Sequence, residues 1–155
     1  MEKTNVMRVL DQKKVKYTPH SIGDNSTMTG TQVADVLKKS PDEVFKTLVT
    51  VGKSGTNYVF VVPIGKELNL KKAAKAVGEK SIEMLKSKEL LPLTGYIHGG
   101  CSPIGMKKFF TTTVDKSAAD KSTICFSAGK IGYQVELAPS DLSRVIRFTY
   151  ADIAE

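Results

Sequence analysis

The fold class is indicated by residues 46–64, which read KTLVTVGKSGTNYVFVVPI. Both ends of this stretch, residues 46–51 and 58–64, are rich in β-branched and aromatic side chains and predict two strands. The intervening Gly52-Lys53-Ser54-Gly55 favours a turn, so the two strands are expected to form a hairpin. Residues 58–62 are apolar at every position, which is typical of a central strand buried on both faces.

The rest of the chain combines helical and strand patterns. Helices are predicted at residues 5–13, 31–39, 70–77 and 139–144, and a short helical turn at residues 40–43. Asn69 should cap the third helix and Gly78 should end it, with Leu70 buried and the lysines facing outward. Further strands are predicted at residues 96–98, 109–114, 123–127 and 133–137. Together these elements favour one α+β domain, residues 1–155, on a mixed, largely antiparallel sheet.

Composition and charge favour a single globular domain that does not span a membrane. The chain has 155 residues, of which 41% are hydrophobic and 25% charged, and this suits one globular domain with a sizeable core. It has no apolar run that could span a membrane and no signal-peptide pattern, and Cys101 and Cys125 are expected to be reduced. We therefore expect a cytoplasmic protein without membrane contact. The net charge of +7 suits contact with nucleic-acid phosphates, although a solubilising lysine-rich surface also accounts for it.

Common hydrolytic and metal-binding motifs are missing from the sequence. There is no G-x-S-x-G nucleophile elbow. The two histidines, His20 and His98, have no cysteine or carboxylate neighbours at metal-ligand spacing, so neither a metal ion nor another cofactor is expected. His98 lies in a predicted apolar strand and is interpreted as structural, whereas His20 could line a pocket.

Three local features could contribute to a binding site. Residues 99–105, GGCSPIG, allow backbone amides to approach an anion or a developing oxyanion, although they also suit a tight connection without a ligand. Lys46 shares its predicted strand face with Val44 and Leu48. Such a lysine needs a partner, for example a ligand phosphate or carbonyl, unless it reaches out to water. Residues 127–132, SAGKIG, form either a second pocket turn or a plain hairpin.

At these residues the sequence resembles the YbaK/EbsC family of aminoacyl-tRNA deacylases, which includes the editing domain of bacterial prolyl-tRNA synthetases. The resemblance is carried by VFKTLV at 44–49, LNLKKAA at 68–74, GYIHGGCSPIG at 95–105 and SAGK at 127–130. The second of these segments is most similar to the YbaK branch, which acts on Cys-tRNA(Pro). The resemblance implies a curved, barrel-like mixed sheet flanked by helices.

The resemblance also implies roles for individual residues. Lys46 would hold the 3′ end of the tRNA, and Ser127 would be the serine of the second pocket turn. Gly99 and Pro103 would be the ends of the G-x-x-x-P loop beside the scissile ester. The catalytic candidates are therefore Lys46, Gly99 and Ser127. The candidates for substrate binding are His20, Met28, Thr29, Thr47, Gly100, Ser102, Pro103 and Gly129, although Met28 and Thr29 stand where a bulkier group is expected. Contacts to the acceptor stem are expected from Lys71, Lys72, Lys75, Lys107 and Lys108.

These roles predict an enzyme that removes a wrong amino acid from tRNA in trans. In the YbaK branch the thiol of the cysteinyl substrate attacks its own ester, so the chain would supply positioning and oxyanion stabilisation without a catalytic triad. Expected partners are aminoacyl-tRNA, with tRNA(Pro) first, and prolyl-tRNA synthetase as a candidate. Two alternatives remain open. The enzyme could remove another amino acid such as alanine, or the protein could bind nucleotides or aminoacyl-tRNA as a regulator without turnover.

Overall fold

The computed structural model describes residues 1–24 and 28–155. The helices are α1 (Asn5–Gln12), α2 (Gly30–Leu37), α3 (Leu70–Val77), α4 (Ser87–Thr94) and α5 (Pro139–Leu142), with a 3-10 helix at Lys116–Asp120. The strands are β1 (Thr18–Ser21), β2 (Phe45–Gly52), β3 (Asn57–Pro63), β4 (Ile82–Met84), β5 (Thr111–Asp115), β6 (Ile124–Ser127), β7 (Tyr133–Leu137) and β8 (Thr149–Ala151). Within the described ranges no helix is both long and apolar enough to cross a membrane.

The strands form two sheets, of orders β4-β2-β3-β5-β8 and β1-β7-β6. The predicted hairpin is β2–β3, which pairs antiparallel with Lys46 opposite Val62. The β4–β2, β1–β7 and β6–β7 pairs are also antiparallel, whereas β3–β5 and β5–β8 are parallel. The prediction of a mixed, largely antiparallel α+β fold is therefore confirmed. The described residues do not close into one barrel, because the main-chain pairing between the two sheets is limited to an isolated parallel bridge between Val44 and Cys125.

Strand β3 is buried on both faces, as its sequence predicts. Val59 and Val61 point into a core that is covered by α1, whereas Phe60 and Val62 point into a second core under α3. All four residues are fully buried, and each contributes about 1.5–3 kcal/mol of transfer free energy. This two-sided burial fixes the position of β2, which is the neighbour that carries Lys46.

Helix α3 begins and ends where the sequence predicts. Asn69 Oδ1 accepts a hydrogen bond from the Lys72 N–H at 2.9 Å, and Gly78 closes the helix with a left-handed φ of 75°. The expectation for Leu70 is wrong, because this first helical residue remains 41% exposed and the core contact is made by Ala73 and Ala74.

The predicted strand at residues 96–98 is wrong. The segment follows α4, which ends at Thr94 and is capped by Gly95, and its backbone forms a turn toward Gly99. Tyr96 is buried because its hydroxyl donates to the Ile104 carbonyl at 2.5 Å, whereas Ile97 is exposed. The alternation of buried and exposed residues therefore reflects the anchoring of a loop and does not mark a strand.

Candidate active site

A cavity of about 670 Å³ opens where the two sheets separate. Its volume is within the range of small-molecule sites. Strand β2 contributes most of one wall, α2 and α4 contribute others, and the loop after α4 closes part of the mouth. The lining residues are Met28, Gly30, Val33, residues 44–49, Ile64, Glu67, Met84, Leu85, Ser87, Leu90, His98, Gly99, Cys101, Ser127 and Gln134.

The structure brings the three catalytic candidates together. Lys46, Gly99 and Ser127 all line this cavity. The Val44–Cys125 bridge explains why Lys46 and Ser127 lie close together. Each follows its bridge residue by two positions, so both side chains are on the same face as Val44 and Cys125. Met28 and Thr47, which are predicted substrate contacts, also line the cavity.

Lys46 has only a weakly held counterion. Its side chain is 29% exposed, and its Nζ lies 3.5 Å from Oε1 of Glu67, whose side chain is 81% exposed. An ion pair this open contributes little to stability. The ammonium of Lys46 is therefore available to an anionic ligand, with Glu67 as the group that such a ligand replaces.

Hydrogen bonds within residues 95–105 order this loop and leave some of its main-chain N–H groups available. Gly99 has a φ of 89°, a conformation that favours glycine. The Gly100 N–H donates to the Ile97 carbonyl at 3.0 Å and is not available to a ligand. In the described part of the chain the N–H groups of Gly99 and Cys101 have no acceptor. These two amides are the candidate donors to an oxyanion.

The Ser127 turn is ordered by its own hydrogen bonds. The Gly129 N–H donates to Ser127 Oγ at 3.1 Å, and the Ala128 N–H donates to the Tyr133 carbonyl at 3.0 Å. Because Ser127 Oγ accepts from this turn, its hydroxyl proton remains available to a group in the cavity. Gly129 itself does not line the cavity. A side chain there would press on Tyr96 and Val6 at 3.0 Å.

Gln134 is a cavity residue that the sequence analysis missed. It pairs with His20 on one side and with Ser127 on the other, so the three residues form one row across β1, β7 and β6. Gln134 is 6% exposed, and its Oε1 has no hydrogen-bond partner among the described residues. Thr47 Oγ1 is likewise buried without a hydrogen-bond partner among the described residues. Unsatisfied buried acceptors are costly, so both atoms favour a ligand with donor groups.

His20 lies beside the cavity and does not line it. Its Nε2 is 2.9 Å from Oε1 of Glu136, and Oε2 of Glu136 accepts from Lys39 Nζ at 2.7 Å and from Thr123 Oγ1 at 2.5 Å. Burial raises the pKa of Glu136, but the hydrogen bonds from Lys39, Thr123 and His20 outweigh it and hold the pKa at about 2. The His20 ring is thus engaged by a carboxylate, and its direct contact with substrate remains a prediction.

The same region groups three residue types that can bind metals, which the sequence did not reveal. Ligand atoms of His20, Cys125 and Glu136 lie within 4.8 Å of one another. Burial raises the pKa of the Cys125 thiol to about 12, so it is neutral at pH 7. Because Lys39 already pairs with Glu136, the arrangement is that of a partly buried ion-pair cluster.

Four further predicted substrate contacts support the site without lining it. Thr29 caps α2, since its Oγ1 accepts from the Gln32 N–H at 3.2 Å and its N–H donates to Gln32 Oε1 at 2.8 Å. Ser102 is fully buried, and its Oγ accepts from the Ile104 N–H at 3.3 Å. Gly100 and Pro103 are buried. None of these four residues lines the cavity, and their direct contact with substrate remains a prediction.

Two residues of the loop lie in the cavity without a predicted role there. His98 is exposed and lines the cavity, which corrects its interpretation as a structural strand residue. Cys101 also lines the cavity, but burial raises the pKa of its thiol to about 12. A neutral thiol is a poor nucleophile, so Cys101 does not supply one at pH 7.

The five lysines predicted to contact tRNA lie on two different surfaces. Lys71 and Lys75 are exposed on α3, whereas Lys72 is bound to Asp152 Oδ1 at 3.2 Å. Lys107 and Lys108 are exposed on the segment that follows the cavity loop. The structure thus separates them into an α3 surface and a loop surface.

Comparison with known proteins identifies the family. Residues 24–145 match the model of the aminoacyl-tRNA editing domain. The "Putative Cys-tRNA(Pro)/Cys-tRNA(Cys) deacylase EbsC" of Enterococcus faecalis is 45% identical over 153 residues, covering 98% of this chain and 93% of that protein. This agreement confirms the resemblance to the YbaK/EbsC family.

Solved structures agree on the fold. The crystal structure of a hypothetical protein superposes with a TM-score of 0.87 at 24% identity, covering 99% of this chain and 100% of that one. That of a "putative trans-editing enzyme for prolyl tRNA synthetase" gives a TM-score of 0.84 at 24% identity, covering 97% and 94%. The chain belongs to the aminoacyl-tRNA editing domain family.

Proposed function

We propose that the protein is a trans-editing deacylase that hydrolyses the ester of mischarged tRNA, with Cys-tRNA(Pro) as its substrate. The observation that carries the proposal is that Lys46, Gly99 and Ser127 line one cavity in a chain that is 45% identical to a protein named as a deacylase of cysteinyl-tRNA. The substrate class comes from that relative. The geometry supports the way in which this chain would hold the substrate.

The cavity residues suit the terminal aminoacyl-adenosine. The Lys46 ammonium binds a phosphate or ribose oxygen of the 3′ end in exchange for Glu67. Gln134 Oε1 and Thr47 Oγ1 are acceptors without partners among the described residues, and they suit the α-ammonium group of the amino acid. Met28, Val33 and Leu90 supply apolar surface around a small side chain.

Catalysis then proceeds by attack of the cysteinyl thiol on its own ester carbonyl. A C–S bond forms, and the C–O bond to the ribose breaks after passing through a tetrahedral oxyanion. The thiol proton ends on the released ribose hydroxyl, and water opens the resulting thiolactone to free cysteine. The Gly99 and Cys101 amides stabilise the oxyanion, and the Ser127 hydroxyl donates to the ester or to the leaving oxygen. The chain thus contributes mainly orientation and charge stabilisation.

One observation favours a second candidate, the removal of an amino acid without a thiol, such as alanine. His98 is exposed at the cavity, and its imidazole can act as a general base for an attacking water. In that case the enzyme would hydrolyse Ala-tRNA(Pro), and His98→Ala would lower the rate of that hydrolysis.

A substrate panel tests the proposal and separates the candidates. Purified protein is incubated with Cys-tRNA(Pro), Ala-tRNA(Pro), Pro-tRNA(Pro) and Ser-tRNA(Pro), and the loss of the ester is followed. We expect hydrolysis of the cysteinyl ester alone, because serine replaces the thiol by a weaker nucleophile. Hydrolysis of the alanyl and seryl esters would favour water attack. Loss of none of the esters above buffer would reject a deacylase, and tight binding of charged tRNA in that case would indicate a regulator.

The candidate partner and location follow from this activity. A deacylase that acts in trans must meet the mischarged tRNA before the ribosome does, which supports association with prolyl-tRNA synthetase in the cytoplasm. Addition of the synthetase should increase the deacylation rate at limiting tRNA. Co-sedimentation of the two proteins with and without tRNA measures the association directly.

A further inference from the structure

A second feature near the cavity is a basic and aromatic surface formed by Lys107, Lys108, Phe109 and Arg147, which we call the basic–aromatic face. Phe109 is 60% exposed, although it was predicted to begin a strand. The observed strand β5 starts two residues later, which leaves Phe109 outside the sheet. An exposed phenylalanine beside three cations is not explained by the core of the domain.

The cations are arranged around aromatic rings. The Arg147 guanidinium carbon lies 5.9 Å from the centroid of the Phe109 ring, and Lys108 Nζ lies 5.4 Å from the centroid of the buried Phe110 ring. Among the described residues no carboxylate lies within 4.0 Å of the charged groups of Lys107, Lys108 or Arg147. The face thus offers positive charge next to an aromatic ring that a planar group can cover.

The face is tied to the wall of the cavity. The Lys107 N–H donates to the Thr94 carbonyl at 3.0 Å, and Lys107 Nζ donates to the Pro92 carbonyl at 3.4 Å. These bonds close the base of the loop that carries Gly99 into the cavity, and α4, which ends at Thr94, supplies other lining residues. The basic–aromatic face therefore lies at the base of the loop that walls the cavity.

The α3 surface is less suited to a nucleic acid. Its helix reads LKKAAKAV and carries no aromatic residue. One of its three lysines, Lys72, is held by Asp152 and also donates to the Ala154 carbonyl at 3.3 Å. It therefore offers two uncommitted charges and no surface for stacking a base.

We infer that the single-stranded 3′ end of the tRNA crosses the basic–aromatic face on its way into the cavity, with a base stacked on Phe109 and phosphates bound by Lys107, Lys108 and Arg147. Proteins bind single strands in this way, with cations along the backbone and aromatic rings under the bases. The inference rests on the proposed function, because it assumes that the ester at this 3′ end is the substrate.

Charge reversal on the two surfaces tests the inference. The variant Lys107→Glu/Lys108→Glu is compared with the matched control Lys71→Glu/Lys75→Glu. Each is assayed on Cys-tRNA(Pro) and on the cysteinyl ester of adenosine, which lacks the phosphates and the preceding bases. The main-chain bond from Lys107 to Thr94 is retained in the first variant, so we expect it to lower kcat/KM for the tRNA by about tenfold or more and the value for the adenosine ester by less than about threefold. The α3 variant should change the tRNA value by less than about threefold.

Stacking is tested separately at Phe109. Phe109→Ala should weaken tRNA binding at least about fivefold, and Phe109→Trp should retain it, because any aromatic ring can stack on a base. In a salt titration of binding, loss of Lys107 and Lys108 should reduce the slope of log K against log salt by about one for each lysine. Thermal melting confirms that each variant is folded.

Binding of uncharged tRNA keeps the two proposals separable. If the wild type hydrolyses no ester, the proposed function fails, yet weaker tRNA binding by the Lys107→Glu/Lys108→Glu variant would still support this face. The inference is overturned if the α3 variant has the larger effect on the tRNA, or if both substrates lose activity equally. It is also overturned if the face variants lose only the stimulation by prolyl-tRNA synthetase, which would identify a protein-binding surface.

Discussion

Gln134 lies directly opposite Ser127 in the β6–β7 pairing, and both residues line the same cavity. The Ser127 hydroxyl accepts a hydrogen bond from the Gly129 N–H in its turn, whereas Gln134 Oε1 has no partner among the described residues. The pair therefore combines an ordered donor with an unsatisfied acceptor. Such an arrangement favours ligand binding at the expense of stability.

Replacement of Gln134 by leucine should separate these two effects. Gln134→Leu removes the unsatisfied carbonyl at similar volume, so we expect the free energy of unfolding to stay constant or to rise by about 1 kcal/mol. We expect kcat/KM for the charged tRNA to fall about tenfold. Denaturant unfolding and deacylation kinetics measure both. A loss of stability together with full activity would contradict a role of Gln134 in binding.

Lys46 and Glu67 should respond in opposite ways to substitution. Lys46→Ala should lower kcat/KM by about a hundredfold, which corresponds to roughly 3 kcal/mol of transition-state free energy. Stability should change by less than about 0.5 kcal/mol, because the ion pair is open to solvent. Glu67→Gln, the matched control, should leave KM unchanged or lower it by freeing the ammonium. Similar losses in both variants would show that the pair acts as a unit.

Substitution of Gly99 should lower activity by more than its loss of stability explains. Gly99→Ala forces a side chain into a φ of 89°, which costs about 1–2 kcal/mol of stability. The control Gly55→Ala carries nearly the same φ, 91°, with open space around the added carbon, in a turn that does not line the cavity. We expect equal losses of melting temperature in both variants and a loss of deacylation only in Gly99→Ala. Equal activities would show that deacylation does not depend on the glycine conformation at residue 99.

The Glu136 cluster predicts a specific dependence of stability on acid. Its pKa is held at about 2, below the 4.5 of an unperturbed glutamate, so the native state favours the ionised carboxylate. This contribution, roughly 3 kcal/mol, is complete above pH 4.5 and is lost as the pH falls toward 2. Unfolding free energies measured between pH 2 and 7 should fall less steeply for Glu136→Gln than for the wild type. Parallel curves would contradict the assignment.

Cys101 should be dispensable for deacylation. Because its thiol is neutral at pH 7, Cys101→Ser should retain activity within about twofold on Cys-tRNA(Pro). Rates of ester loss with purified variant and wild type decide the point. An inactive Cys101→Ser variant that melts normally would assign the nucleophile to the enzyme and not to the substrate.

The parts of the fold that the sequence predicts are those with strong local signals. The β2–β3 hairpin has β-branched runs around a glycine-containing turn, and α3 has a cap and a stop residue. Helix α4 was missed because Pro92 lies within it, and proline normally argues against a helix interior. Strands β4 and β8 have three residues each, and their pairing with longer neighbours decides their structure.

The site residues also differ in whether a local sequence signal identifies them. Lys46 stands out in the sequence by its charge and Gly99 by its glycine-rich surroundings, whereas the role of Ser127 follows from the family resemblance. Glu67 and Gln134 do not stand out, because a polar residue on a strand or before a helix usually faces water. Gln134 reaches the cavity because β7 pairs with β6, whereas Glu67 is positioned by two main-chain hydrogen bonds with Glu155. The ion pair of His20 could not be read from the sequence either, since Glu136 is brought to it only by the β1–β7 pairing.

The bridge between Val44 and Cys125 sets the distance between Lys46 and Ser127. Lys46 and Ser127 are positioned by main-chain pairing two residues away, in strands whose other faces are buried. Their separation is thus independent of other side chains that line the cavity, such as Met28 and Leu90. Under the proposed function, those two residues could be exchanged to admit a different amino acid while Lys46 and Ser127 keep their positions, which makes this scaffold a suitable starting point for redesigned substrate preference.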